Sequence, residues 1–196
     1  MNDTDKSFRK IFSTPKGPVI IRQANLSDAN QFSTIRMEAL RDNPSIFGSS
    51  VEARENCTVE WANKILQANP VDSTLFILEN NNNIIGLSSI RRFSGVKICH
   101  SAGISGVFIK PDWRGIGLLD ELFFACTQWA IANQVIIVKL AVTTTNTRAI
   151  KAYQRLGFQI YGTEPKVIFH DGIYYDEYLL SREVDFSKTV LAPTKT

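Results

Sequence analysis

Val107-Phe108-Ile109-Lys110-Pro111-Asp112-Trp113-Arg114-Gly115-Ile116-Gly117-Leu118-Leu119-Asp120-Glu121-Leu122 passes from an apolar run, through a proline and two glycines, into apolar residues at helical spacing. It reads as a strand closed by Pro111, a short turn carrying Arg114, Gly115 and Gly117, and a helix from Leu118 to Ala132. The first turn of a helix presents backbone N–H groups that lack intrahelical partners, together with the positive end of the dipole. Glycines remove side chains that would hold a phosphate away, and Arg114 adds positive charge. The turn therefore reads as a diphosphate cradle that needs no metal. Two glycines also suit a tight strand-to-helix connection without a ligand, so the context decides. The stretch is not a P-loop, because no Gly-Lys-Ser/Thr follows, and not a dinucleotide fingerprint, because the third glycine is missing.

Working outward, Val19 to Arg22 reads as a strand, and Ser27-Asp28 as the N-cap of a helix through Phe32, Ile35 and Leu40 that stops before Pro44. A second helix is expected over Val59 to Gln67. Thr74 to Leu78 and Ile84 to Ile90 read as hairpin strands around the Asn80-to-Asn83 turn. Downstream of the cradle helix, Val135 to Val142 is an almost continuous apolar strand, as expected where both faces are covered. Asn146 to Leu156 is a helix stopped by Gly157. Phe158 to Tyr161, Val167 to Phe169 and Tyr174 to Leu180 read as strands, the last two joined at Asp171-Gly172. This order predicts an α/β (α+β) domain over residues 18–184: a central mixed sheet of six to seven strands with helices on both faces. Residues 1–17 lack periodicity and are expected as a flexible arm, and 185–196 as a tail.

Composition narrows the function classes. At 196 residues and 44% hydrophobic content, the chain fits one domain with one core. A net charge of +3 without a basic stripe or stacking aromatics argues against a nucleic-acid binder. No apolar run is long enough to span a membrane, and the N-terminus is polar, so a cytoplasmic protein is expected. Cys57, Cys99 and Cys126 show no paired spacing and read as buried free thiols, ahead of a zinc site or a nucleophile. His100 and His170 are too far apart in sequence to make a metal site and read as surface residues.

Arg114-Gly115-Ile116-Gly117-Leu118-Leu119, followed downstream by Asn146-Thr147-Arg148-Ala149-Ile150-Lys151-Ala152-Tyr153-Gln154-Arg155-Leu156-Gly157-Phe158, resembles the GNAT superfamily of N-acetyltransferases. Ile21 to Ala24 with Asp28-Ala29, Ile35 to Pro44 with Phe47-Gly48-Ser49, and Tyr161 to Pro165 through Asp171 to Glu177 are similar to one bacterial branch of it. The resemblance spans residues 19–182. It implies acetyl-CoA as the acyl donor, bound where two central strands splay apart. Val107, Phe108 and Ile109 would face the pantetheine arm with their backbone, and Arg114 through Asp120 would hold the pyrophosphate by main-chain N–H groups. Asn146 would hydrogen-bond the cofactor near its pantetheine. Tyr153, two helical turns further on the same face, would protonate the leaving thiolate. The acceptor would be a primary amine that attacks directly, with no covalent acyl-enzyme. Polyamine, aminoglycoside, amino acid, peptide N-terminus and protein lysine all stay open. Dimers are common in this superfamily.

Two positions depart from the pattern. Leu119 stands where relatives have Gly or Ala, so its side chain either points into the core or narrows the pyrophosphate turn. Relatives also place a carboxylate on the strand before the cradle to deprotonate the amine. Here that stretch reads Ser101-Ala102-Gly103-Ile104-Ser105-Gly106 and holds none; Glu38 on the first helix is the substitute candidate, with a solvated helix-face role as its alternative. These departures support a second reading, a catalytically weak acyl-CoA-binding or sensor module. The Asn146–Tyr153 pair argues against it, since binding alone needs no acid beside the sulfur. The resemblance also places the Asp171-Gly172 loop beside the acceptor, where Tyr174 or Tyr175 would shape specificity.

Overall fold

The computed structural model describes residues 8–46 and 57–188. One eight-stranded sheet, in the order β1-β2-β3-β4-β5-β6-β8-β7, organises the chain. Its strands are β1 (Arg9–Thr14), β2 (Gly17–Gln23), β3 (Ser73–Asn80), β4 (Asn83–Arg92), β5 (Ser101–Ile109), β6 (Ile137–Thr143), β7 (Gln159–His170) and β8 (Ile173–Glu183). Helices α1 (Ala29–Asp42) and α2 (Val59–Leu66) cover one face, and α3 (Leu118–Ala132) and α4 (Thr147–Arg155) the other. On the first face Phe32, Ile35 and Ala62 close over Leu75, Ile77, Leu87 and Phe108. On the second, Leu122, Phe123, Cys126 and Trp129 pack on Phe76, Ile90, Ile104 and Leu140. No helix among the described residues is long and apolar enough to cross a membrane.

For Arg9–Thr14, the strand β1 corrects the expectation of a loose arm over residues 1–17. Arg9 to Thr14 pairs antiparallel with β2 across a turn closed by Gly17 at φ +99°. Lys10, Phe12 and Thr14 are half-buried while their neighbours are exposed, the alternation of an edge strand. Lys10 Nζ also meets Glu121 of α3 at 2.7 Å. The Phe47-Gly48-Ser49 segment lies outside the described residues.

Neighbouring strands run antiparallel except β5 and β6. These two are parallel and pair only where Ser101, Ala102 and Gly103 face Ile137, Val138 and Lys139. Beyond Gly103 they separate, giving the expected splay. A register shift opposite Leu87 and Ser89, with Gly106 at φ +64°, turns β5 away from its neighbour there.

The last hairpin differs from the sequence reading in one respect. Phe158 to Tyr161 and Val167 to Phe169 read as two short strands, yet β7 is a single strand from Gln159 to His170 with an irregularity between Glu164 and Ile168. As the edge strand, β7 tolerates a proline that donates no hydrogen bond. Lys166, at φ +56°, turns its N–H onto Asp176 Oδ1 at 2.8 Å. Asp171 and Gly172, both at positive φ, form the anticipated two-residue turn.

Candidate active site

The turn before α3 has the properties of an anion cradle. Gly115 and Gly117 sit at φ +84° and +87°, and nothing lies within 4 Å of a side-chain carbon built on either. Left-handed backbone disfavours other residues by about 1–2 kcal/mol, so the backbone demands glycine here, and the space beside it is open. Among the described residues no hydrogen bond accounts for the N–H groups of Gly115, Ile116, Gly117, Leu118 or Leu119. The Asp120 N–H bonds Gly117 O at 3.1 Å and closes the turn.

The Arg114 side chain has partners of its own. Its Nε donates to Ile109 O at 2.8 Å, its guanidinium pairs with Asp42 of α1, and it lies 5.6 Å from the Phe108 ring. It braces the end of β5 against α1 while also lining the cleft. Leu119 resolves both ways: it packs against the core and also lines the cleft. Ile116 packs against the core and does not line the cleft.

A cleft of about 640 Å³ opens between the separated ends of β5 and β6. Val107, Phe108 and Ile109, the cradle, Leu140 to Val142, Asn146 and Tyr153 line it. From Ile104 onward, the β5 edge facing β6 has no strand partner, so extended backbone is presented to the gap. Phe108 turns its ring into the core under α1, so only its main chain serves the cleft. Asn146 caps α4, its Oδ1 accepting from Ala149 N at 3.2 Å. That bond leaves its amide hydrogens for a ligand. Tyr153 is 8% exposed and packs beside Phe123 and Phe158, with ring centroids 5.4 and 6.4 Å away. Burial pushes its hydroxyl up to about 12, so the proton is held firmly at neutral pH. The sequence pairing of Asn146 with Tyr153 thus reaches one cleft with the cradle.

Glu38 is engaged elsewhere. It pairs with Lys110 Nζ at 3.0 Å and does not line the cleft. Among the described residues two carboxylates line it, Asp120, which pairs with Arg155, and Glu177 of β8, which the sequence reading did not single out. Burial first, and then Glu164, raise its pKa above the usual carboxylate range. The Tyr174 expectation is also revised: it is exposed and stacks on Phe169 at 4.7 Å, and neither it nor Tyr175 lines the cleft or the neighbouring cavity. His100 is exposed, and His170 meets Asp171 at 3.4 Å; neither lines the cleft or the neighbouring cavity.

A second cavity of about 730 Å³ lies on the α1/α2 face and shares Ile104, Ser105, Gly106, Leu140 and Ala141 with the cleft. The two spaces therefore meet through the splay. Trp61, Phe93 and Tyr161 line the second one, with Arg91 and Lys139. Lys139 Nζ stands 5.9 Å from the Phe93 ring and 6.0 Å from that of Tyr161.

A splayed parallel pair, a glycine cradle and a buried tyrosine in one cleft agree with a comparison to known proteins: the acetyltransferase (GNAT) family profile matches residues 35–158. The chain belongs to this family. It is an acyltransferase. An L-amino acid N-acetyltransferase of Escherichia coli is 22% identical over 168 residues, 84% of this chain and 97% of that protein. An L-methionine sulfoximine/L-methionine sulfone acetyltransferase of Pseudomonas aeruginosa is 25% identical over 170 residues, 84% of this chain and 94% of the relative. Among solved structures, an acetyltransferase of Salmonella typhimurium with its cofactor acetyl-CoA has the same fold, at TM-score 0.71 and 19% identity. That match covers 91% of this chain and 99% of the other.

Proposed function

We propose that this acetyltransferase moves an acetyl group from acetyl-CoA to the primary amine of a small amino acid, by direct attack within a ternary complex. The observation that carries the reading is Tyr153: a protonated hydroxyl buried in the same cleft as the cradle and Asn146. The free N–H groups from Gly115 to Leu119 hold the pyrophosphate. The unpaired edge of β5 and the amide of Asn146 align the pantetheine arm. Acetyl-CoA supplies the activated thioester. As the carbon–sulfur bond breaks, Tyr153 gives its proton to the sulfur and keeps the thiolate from returning.

The second cavity supports an acceptor entering from the α1/α2 face, where it meets the cleft at the splay. Arg91 and Lys139 suit a carboxylate, while Trp61, Phe93 and Tyr161 suit an apolar side chain. The two curated relatives act, by name, on amino acids or amino-acid derivatives, which supports the same class here. The test is thiol release from acetyl-CoA with a panel of L-amino acids and their decarboxylated amines. The reading expects release with amino acids and at least about tenfold less with the matching amines, the range of one charge-assisted contact. Equal release with both would remove the carboxylate from the account.

A further inference from the structure

Resting on that transferase reading, we propose that Glu177 is the base that takes the proton from the attacking amine, and that Glu164 across the hairpin tunes it. Strand alternation supplies the first argument. In β6, Val138, Leu140 and Val142 pack into the core under α3 and α4, so Lys139, Ala141 and Thr143 point to the opposite, α1/α2 face. Directly opposed residues of an antiparallel pair share a face. Glu177 is opposite Thr143, and Leu179 is opposite Ala141. Leu179 and Ala141 line the acceptor-side cavity, and Leu180 sits in the other core. Glu177 is therefore on the face from which the acceptor arrives. It also borders the cleft that holds Tyr153. The base stands on the amine side of the splay and the acid on the sulfur side.

The surroundings fit a proton acceptor. On β7, Glu164 is the cross-strand partner of Glu177 and the charged group that faces it from that strand. On β6 its opposite is Thr143, whose hydroxyl is buried without a hydrogen-bond partner among the described residues. Across the cleft, α4 contributes Tyr153, Arg148 and Arg155, and the cradle contributes Arg114 and Asp120. Arg155 pairs with Asp120, and Arg114 with Asp42. No ion pair involves Glu177 among the described residues. A half-buried carboxylate with a like-charged neighbour and no cationic partner binds protons more readily than an ordinary one. That is the property a base needs near neutral pH.

The step balances. The amine nitrogen donates its lone pair to the acetyl carbon, forming the C–N bond, and the C–S bond breaks. The proton released from nitrogen goes to a Glu177 oxygen, and the Tyr153 proton goes to sulfur. Products are the N-acetylated acceptor and free CoA thiol. Glu177 then loses its proton to solvent as Tyr153 regains one.

The test compares wild type, Glu177→Gln, Glu177→Asp and Glu164→Gln. The acceptor is whichever common L-amino acid, or L-methionine sulfone, releases most thiol with wild type. We expect Glu177→Gln to lower kcat/KM at pH 7 by about 100-fold and to abolish the acidic limb of the pH profile. Acetyl-CoA affinity by calorimetry should be unchanged, and Glu177→Asp should recover part of the rate. Glu164→Gln should move the acidic limb to lower pH, because it removes a negative neighbour. A Glu177→Gln profile that superimposes on wild type overturns the proposal. So does loss of acetyl-CoA binding in that variant, or, if it fails to fold, an unmoved limb in Glu164→Gln. Wild type that releases no thiol with any acceptor overturns the transferase reading, and this proposal with it; an active wild type with superimposed profiles overturns this proposal alone.

Discussion

Arg155 at the end of α4 grips Asp120 at the start of α3 through two hydrogen bonds, at 2.6 and 3.0 Å. The helix that carries Tyr153 is thereby fastened to the helix that opens at the glycine cradle. The pair is exposed, 60% and 41% by side chain, so water and salt screen it. Arg155→Ala is predicted to weaken acetyl-CoA by no more than about fivefold and to leave kcat near wild type. Calorimetry beside steady-state kinetics checks this; a large loss in kcat alone would mean the pair holds Tyr153 itself.

The cradle makes a second prediction through its backbone. Gly117→Ala forces a side chain into left-handed backbone, destabilising by about 1–2 kcal/mol, and places a methyl group where nothing now lies within 4 Å. Thermal melts should show the loss, and acetyl-CoA affinity should fall as well. Full affinity in a folded Ala variant would detach the cradle from the pyrophosphate.

Glu177 yields a prediction of opposite sign for stability and turnover. Its pKa is raised on folding, so the folded protein holds this proton more tightly than the unfolded chain. Stability from that proton is complete below the unfolded pKa and is lost as pH rises through the folded one. Above the unfolded pKa the raised value therefore disfavours the folded state. Glu177→Gln should raise the melting temperature at pH 7 while lowering turnover, a trade seen where catalytic groups are strained. The gain should shrink toward pH 4. A lower melting temperature at pH 7 would contradict the cause given for the shift.

Asp28 titrates the other way. Burial favours its neutral form, but hydrogen bonds from Arg22 and from the Asn25 N–H prevail and hold its pKa below the usual range. Its stabilisation is present above the unfolded pKa and is lost as pH falls through the folded value. Asp28→Asn should therefore destabilise at pH 7 and converge on wild type in acid. Equal differences across that range would assign the effect to the cap rather than to the charge.

What the sequence disclosed follows from how local its signals are. The cradle and the α4 motif are contiguous patterns whose glycines and spacing carry their own geometry, and both reached the cleft. The strand β1 escaped notice because its alternation rests on Lys10, Phe12 and Thr14, with a single large apolar side chain among them. The single strand β7 read as two short ones because the polar Gly162-to-Lys166 stretch, with its proline, separates two apolar runs that the edge strand joins. Glu177 closes the Asp171-to-Glu177 stretch that carries part of the resemblance, but nothing local marked it as a base. Its face is set by register across β6, β8 and β7, which long-range pairing fixes. Arg114 and Glu38 looked available for chemistry because their partners Asp42 and Lys110 meet them only after folding.

The most direct test of the central claim replaces Tyr153 by Phe, which removes one hydroxyl and keeps the ring between Phe123 and Phe158. Thiol release from acetyl-CoA with the best L-amino acid acceptor should fall by about 10²-fold or more, while acetyl-CoA affinity stays within about twofold of wild type. Turnover equal to wild type in the Phe variant would contradict Tyr153 as the acid. Acetyl-CoA binding without thiol release in the wild-type protein would instead support a binding module.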